Sequence, residues 1–438
     1  MTSSPSTIGE RTAAHNAMAR RATIASTVGS ALEWIDFTAY GALSATVFPK
    51  LFFPSLTPGT ALLAAFATFG VGFFARPLGG LFFGMLGDKL GRKKVLLYTL
   101  VLMGLASFLI GCLPAYSTIG VAAPALLVTL RFLQGFALGG EATGAQLMTM
   151  EHAPPQRRGF YGSFINLGSS VSAAVANGLI FGLIALLGSE AFESWGWRLP
   201  FLLSVVLVFL GLYIRLRVSE TPAFAQAEHE QSVERIPVLE AFREYPRPIL
   251  RLMFIWFAPC ACFYVINVFT LSYVTNTLGM ANGTAYLCLM GANLVALLTV
   301  VAGGALSDKI GRKPTMLLSA IMMMIAALGY FPLLDTRSWP LIFLAMASFV
   351  GSLQIQSGVQ PAFFAEPFPT RVRYSGSAAA YTGANLVAGG PTPFVAAWLL
   401  QQSGGATWVI TTMCVAVIAI AIIGILASPE TRHNDLSK

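Results

Sequence analysis

Charge is what this 438-residue chain has least of. Only 11% of its residues are Asp, Glu, Lys or Arg, against roughly 25% in soluble domains. A chain that is 55% hydrophobic has no surface to show to water on all sides, so its main solvent is lipid. Histidine is nearly absent: His15, His152, His229 and His433 are scattered, with no nucleophile or metal-ligand pattern around them. The five cysteines (Cys112, Cys260, Cys262, Cys288 and Cys414) all fall in apolar runs. No structural metal and no disulfide framework is expected from them. No phosphate-binding glycine loop occurs, so nucleoside triphosphate hydrolysis is not the energy source. The net charge of +8 is not a nucleic-acid signature, because the basic residues stand in short loops and not in a stripe interleaved with aromatics. These absences exclude an enzyme, a nucleic-acid binder and a cofactor protein; no cofactor is expected.

What is present is a long series of apolar segments of spanning length, about 20 residues each. Twelve are read, at about 22–50, 60–86, 94–114, 119–150, 158–187, 196–217, 249–277, 283–306, 314–334, 339–365, 374–401 and 406–427. The expectation is an all-α integral membrane protein with twelve transmembrane helices in two six-helix halves. Its parts are a tail at 1–21, a six-helix bundle at 22–217, a mixed-charge linker at 218–248, a second bundle at 249–427 and a tail at 428–438. The first 21 residues lack an apolar core and do not form a cleavable signal peptide. Of the 27 Lys and Arg, only Lys50, Arg76, Arg131, Arg198 and Arg337 fall outside the termini and even-numbered loops. Both termini are therefore expected in the cytoplasm.

One string occurs twice, half a chain apart. Gly84-Met85-Leu86-Gly87-Asp88-Lys89-Leu90-Gly91-Arg92-Lys93 is answered by Gly304-Ala305-Leu306-Ser307-Asp308-Lys309-Ile310-Gly311-Arg312-Lys313. A charged loop repeated within a repeated set of helices points to a transporter built from internal repeats.

Ionisable residues in a span cost about 2.5–3.5 kcal/mol each on insertion scales, and those here lie in the first half: Glu33, Asp36, Arg76, Arg131 and Glu141. Glu33 and Asp36 share a helical face, as do Arg131 and Gln134. Two readings stand at this point. Arg131 or Arg76 anchors a substrate carboxylate through paired hydrogen bonds, with Asp36 and Glu33 as the proton site and Glu141 further along as a gate. Alternatively, the charges form a neutralised network that only holds the spans together. The second half offers polar groups instead: Tyr264, Asn267, Gln356, Gln360 and Asn385, with Trp34 and Tyr40 from the first. They suit the hydroxyls and carbonyls of a polar metabolite; hydrogen bonding between helices accounts for them equally well.

The paired loops resemble the signature of the major facilitator superfamily, and Arg131-Phe132-Leu133-Gln134-Gly135 resembles its RxxQG element. Glu33-Trp34-Ile35-Asp36-Phe37, Ala75-Arg76-Pro77-Leu78-Gly79-Gly80, Trp195-Gly196-Trp197-Arg198-Leu199-Pro200-Phe201 and Phe368-Pro369-Thr370-Arg371-Val372-Arg373 narrow the resemblance to the metabolite:proton symporters. That family includes shikimate, 2-oxoglutarate, citrate and proline/betaine carriers, and the shikimate-permease-like branch is the most similar. Ile35, Thr38 and Ala39, and Ala142 and Thr143 after Gly139-Gly140-Glu141, depart from the family pattern near the expected cavity. The resemblance implies a bacterial inner-membrane carrier, functional as a monomer, that couples a small-molecule substrate to protons in contact with lipid. It also implies a conformational latch made of Gly84, Asp88, Arg92, Glu151 and Arg157, repeated as Gly304, Asp308, Arg312, Glu366 and Arg371. A zwitterion importer and an exporter are the alternatives. The fifth span lacks the Gly-Pro pair usual in exporters of this fold, which favours symport.

Overall fold

The computed structural model describes residues 31, 34–90, 92–139, 153–206, 208–209, 211, 243–432 and 434. These residues are helical with short connections, and no strand occurs among them. In lipid this is the expected outcome, since a helix satisfies its backbone groups within its own segment. We number the main helices α1 (34–46), α2 (Pro58–Leu90), α3 (Arg92–Cys112), α4 (Ala122–Gly139), α5 (Arg158–Leu187) and α6 (Gly196–Val206) in the first half. The second half holds α7 (Pro246–Thr277), α8 (Asn282–Ile310), α9 (Arg312–Leu334), α10 (Trp339–Ala365), α11 (370–402) and α12 (Trp408–Leu426).

Among the described residues, eight of these are long and apolar enough to cross a membrane. The other four, α1, α3, α6 and α11, are shorter or interrupted over the described residues. α3 opens on the basic run Arg92-Lys93-Lys94 and carries the shorter apolar stretch Leu97–Cys112. In α11 a π-helical segment at Asn385–Gly389 interrupts the helix, which resumes at Thr392 after Gly390 and Pro391. Large apolar side chains such as Leu186, Leu298, Ile325 and Ile423 point outward, as expected of surfaces that meet acyl chains. The linker expected at 218–248 falls mostly outside the described residues.

Within each half, glycines bring two helices into backbone contact. A Cβ built on Gly135 of α4 would lie 2.0 Å from the Gly72 carbonyl oxygen of α2. In the second half a Cβ on Gly358 of α10 would lie 2.0 Å from the Val300 carbonyl oxygen of α8. Small residues let helices approach where lipid gives no hydrophobic drive between them. The consequence for function is in the first half: α4 lies so close to α2 that the Arg131 guanidinium crosses Gly72, with Nε only 2.9 Å from where a Cβ would stand.

The two halves meet along α5 with α8 and α10, and along α2 with α11. At the end that carries the repeated loops, Gly159 and Gly304 are in backbone contact. At the opposite end, the Thr46 and Tyr286 hydroxyls are 2.8 Å apart, Asn282 donates to Glu193 at 3.1 Å, and Gln401 donates to the Gly59 carbonyl at 2.9 Å. Each pair joins one half to the other, so bridges between the halves occur at both ends among the described residues.

Candidate functional site

Between the halves lies a cavity of about 60 Å³, walled by residues from both. One side is aromatic: Trp34, Trp256, Phe263, Tyr264 and Tyr381. The other is polar: Asn166, Ser169, Gln354 and Ser357, with Asn385 also on the wall. The backbone explains two of these placements. Pro259 inside α7 withholds a backbone donor, and π-helical turns follow at Val265–Phe269 and Tyr273–Thr277, placing Tyr264 at the break. Such turns inside α-helices are often found at functional sites. The π segment of α11 begins at Asn385 itself.

Arg76 lies directly behind the aromatic wall. Its guanidinium carbon is 5.3 Å from the Trp34 ring centre, 4.5 Å from Phe37 and 4.6 Å from Phe73. Three cavity residues, Cys260, Tyr264 and Tyr381, feel its charge. Arg131 is deeper and fully buried. Its guanidinium carbon sits 3.9 Å from the Phe37 ring centre, 4.1 Å from Tyr40 and 5.0 Å from Phe69. Its Nη1 donates to the Gln134 carbonyl, and the Gln134 amide donates to the Ser107 hydroxyl at 2.7 Å. Ser107 and Arg131 are in turn the polar neighbours of the buried Asp36 carboxyl. No direct ion pair joins Asp36 to Arg131 among the described residues; Ser107 and Gln134 stand between them. The Arg131 Nε and Nη2 and the Asp36 Oδ1 have no hydrogen-bond partner there.

The candidates read from the sequence thus sort into groups. Trp34, Tyr264 and Asn385 line the cavity. Arg76 stands behind it, while Arg131, Gln134, Tyr40 and Asp36 form a second cluster. The sequence reading gave Arg131 and Arg76 as alternative anchors; the structure separates them, with Phe37 in contact with both. Tyr40 is committed to Thr68 at 2.7 Å. Asn267 accepts from Asn293 at 2.9 Å and is off the cavity wall. Gln356 reaches only the Ile255 carbonyl, at 3.5 Å. Gln360 meets the cavity only through Asn166, which donates to it at 3.0 Å. Glu33 and Glu141 lie outside the described residues. Asn166, Ser169 and Trp256 were not singled out from the sequence. The signal for the first two was there, a polar Asn166-Leu167-Gly168-Ser169-Ser170 run inside an apolar span.

At the loop-motif end of the second half, Asp308 accepts from the Gly159 and Phe160 backbone N–H groups at 2.9 and 2.8 Å. It thereby caps the start of α5, where the helix dipole favours a negative charge. Arg312 pairs with Asp308 at 2.7 Å and with Glu366 at 3.1 Å. Burial pushes the Glu366 carboxyl above its ordinary value although Arg312 opposes it. Glu366 pairs with Arg312, Arg157 is exposed, and the neighbouring Arg158 is buried, donating to the Asn434 carbonyl at 3.0 Å. Gly304 is in the contact with Gly159. Glu151 and the side chains of Gly84, Asp88, Arg92 and Arg371 lie outside the described residues.

The segment after α12 joins this end. Glu430 accepts from the Arg312 and Lys313 backbone N–H groups at 2.9 and 3.0 Å, capping α9. Burial raises its carboxyl, but four backbone donors outweigh that and hold it below its ordinary value. Thr431 donates to Glu366 at 2.5 Å.

Comparison with known proteins agrees with this architecture. Residues 28–391, and again 273–438, match the family model described as Major Facilitator Superfamily. The chain is 39% identical to the shikimate transporter of Escherichia coli (strain K12) over 391 residues, 88% of this chain and 89% of that one. It is 35% identical to the proline/betaine transporter of Salmonella typhimurium (strain LT2) over 439 residues, 98% and 87% of the two chains. A crystal structure of a D-xylose-proton symporter superposes with a TM-score of 0.72 at 20% identity, covering 93% of this chain and 98% of that one. The fold, the repeated loops and these relatives together make the chain a member of the major facilitator superfamily, a multi-pass membrane transporter and not an enzyme.

Proposed function

We propose that this protein imports a small organic acid with protons by alternating access, as a monomer in a bacterial inner membrane with both termini in the cytoplasm. The observation that carries the substrate class is the position of Arg76. It is a guanidinium behind a cavity wall made of Trp34, Tyr264 and Tyr381. A guanidinium holds a carboxylate by two parallel hydrogen bonds, which an ammonium cannot match. The identity to the shikimate transporter supports the same class. The distribution of Lys and Arg supports the orientation.

Proton coupling falls to Asp36. It is buried beside Ser107 and Arg131, and its charge is costly there unless Arg131 balances it. In this reading Asp36 takes a proton when the cavity faces the proton-rich side. The freed Arg131 then changes its hold on Gln134, and the aromatic layer of Phe37 and Phe69 passes that change to the cavity. Opening one end requires breaking the bridges at that end while the other stays shut. Asp308 supplies such bonds at the cytoplasmic end, accepting from the Gly159 and Phe160 N–H groups, while Arg312 and Glu366 pair beside it within the second half.

A second reading has a specific observation behind it. The five aromatic side chains on the wall suit the cation–π recognition of a quaternary ammonium, and the proline/betaine relatives are 35% identical. Competition in proteoliposomes separates the two. With a pH difference imposed, carboxylates without an amine should be accumulated and should compete with one another, and Arg76→Lys should weaken them sharply. If only betaine and its analogues compete, the organic-acid reading is wrong.

A further inference from the structure

On the polar side of the cavity, Asn166, Ser169 and Ser357 have already spent their hydrogen-bond donors. Asn166 Nδ2 donates to the Ser357 carbonyl at 2.6 Å and to the Gln360 side-chain oxygen at 3.0 Å. A backbone carbonyl can only accept, so this contact fixes which way the Asn166 amide points. Its Oδ1 is left at the wall with no hydrogen bond among the described residues. The Ser169 hydroxyl donates to the Asn166 carbonyl at 2.8 Å and the Ser357 hydroxyl to the Leu353 carbonyl at 3.4 Å. Each therefore keeps only oxygen lone pairs for a ligand. Gln354 donates its amide to Ser170, again across the two halves. Asn385 donates to the Tyr381 carbonyl at 2.9 Å. At Asn166, Ser169 and Ser357 the wall formed by α5 and α10 accepts and does not donate, although Gln354 keeps one amide N–H; the Arg76 guanidinium stands behind the aromatic side.

We infer that Asn166, with Ser169 and Ser357, is a specificity-determining acceptor set that reads hydroxyl groups on the part of the ligand remote from its carboxylate. The ligand is then a hydroxylated carboxylate, oriented by a cationic end and an acceptor end. A wall of acceptors discriminates against a molecule that cannot donate, because its oxygens lose water and gain nothing in return. This excludes two neighbouring chemistries. A simple carboxylate leaves the acceptors unpaired, and a fully methylated betaine has no donor to give. The same Asn166 amide bridges α5 to α10, so the residue that reads the hydroxyl is also one that ties the two halves together. This inference rests on the proposed organic-acid reading, with Arg76 at the other end.

The test is ligand binding to the purified full-length protein, followed by its tryptophan fluorescence, since Trp34 and Trp256 wall the cavity. Two probes are compared: shikimate and cyclohex-1-ene-1-carboxylate, which has the same ring and carboxylate without the hydroxyls. The wild type should bind the hydroxylated acid at least about tenfold more tightly, the scale of one or more hydrogen bonds. Asn166→Ala should reduce that ratio by about tenfold; the lost bridge to α10 acts on both acids alike and cancels in the ratio, and retained binding of the unhydroxylated acid shows that the variant is folded. Ser169→Ala should reduce the ratio in the same direction and serves if Asn166→Ala does not fold. Equal wild-type affinity for the two acids overturns the inference and leaves the organic-acid reading standing. So does an equal weakening of both acids in the variants. Binding of glycine betaine with no response to either acid overturns both readings.

Discussion

Asp308 makes the bridge at the loop-motif end testable on its own. Its two carboxylate oxygens take the Gly159 and Phe160 backbone N–H groups, in the first turn of α5 from the other half, at 2.9 and 2.8 Å, and it pairs with Arg312 at 2.7 Å. Asp308→Asn keeps the shape and one acceptor oxygen. It loses one of the two backbone bonds, the charge facing the helix terminus and the ion pair. Loss of a helix N-cap costs about 1 kcal/mol, and a charge at a partly buried helix terminus is worth up to about 1–2 kcal/mol. The sum, about 2 kcal/mol, corresponds to a roughly thirtyfold fall in the ratio of closed to open at that end. Arg312 retains Glu366 at 3.1 Å, so the second half should stay folded. Spin labels at Gln156→Cys and Lys309→Cys, both exposed positions on opposite halves, report the separation in a Cys112→Ser background. The other four cysteines are buried. The variant should shift the distance distribution towards longer values and alter uptake. An unchanged distribution at equal labelling would refute the argument that Asp308 holds the halves together.

Other consequences follow from the same geometry. Asp36→Asn should abolish accumulation driven by a pH difference yet spare exchange of labelled for unlabelled substrate, since exchange moves no net proton; uphill accumulation by the variant would make Asp36 structural. Gly135→Leu should destabilise the first half by about 1–3 kcal/mol through overpacking, because a Cβ there already meets the Gly72 carbonyl. Gly182→Ala, with nothing within 4 Å of its Cβ, is the control, and thermal unfolding in detergent compares the two. The Glu430 carboxyl is held below its ordinary value of 4.5 by backbone donors. Its hold on α9 is therefore fully present above about pH 4.5 and is lost as pH falls through the lower folded value. Hydrogen exchange at the Arg312 and Lys313 amides should speed up in that acid range, and Glu430→Gln should speed it up at neutral pH.

The elements were legible in the sequence to different depths for physical reasons. The fifth, tenth and twelfth spans were bounded closely because continuous apolar sequence ends at charged or turn residues, as at Arg158 and Trp339. The ends of α2 and α8 were placed short, since both helices continue through charged residues to Leu90 and Ile310. The π turns of α7 and α11 were not legible, because nothing in apolar periodicity distinguishes a five-residue turn from an α turn. The candidate residues divided the same way. Asp36, Arg76 and Arg131 stood out because a charge in a span needs an explanation. Asn166 and Ser169 did not, because one amide and one hydroxyl cost little there and are common as helix contacts.

The sequence by itself therefore determined the solvent, the class and the repeat. Too few charges for water, apolar runs of spanning length and a loop that occurs twice leave little else for the chain to be. Tertiary structure alone decided which polar groups face each other. Arg76 and Arg131 are equivalent as letters, yet the close approach of α4 to α2 buries Arg131 in a network with Gln134 and Ser107 and leaves Arg76 behind the cavity wall. The pairing of Glu366 with Arg312, the burial of Arg158 beside an exposed Arg157, and the spending of the Asn166 donors across the halves were decided there too. Each depends on where two helices distant in sequence touch, and on which atom of a side chain another has already claimed.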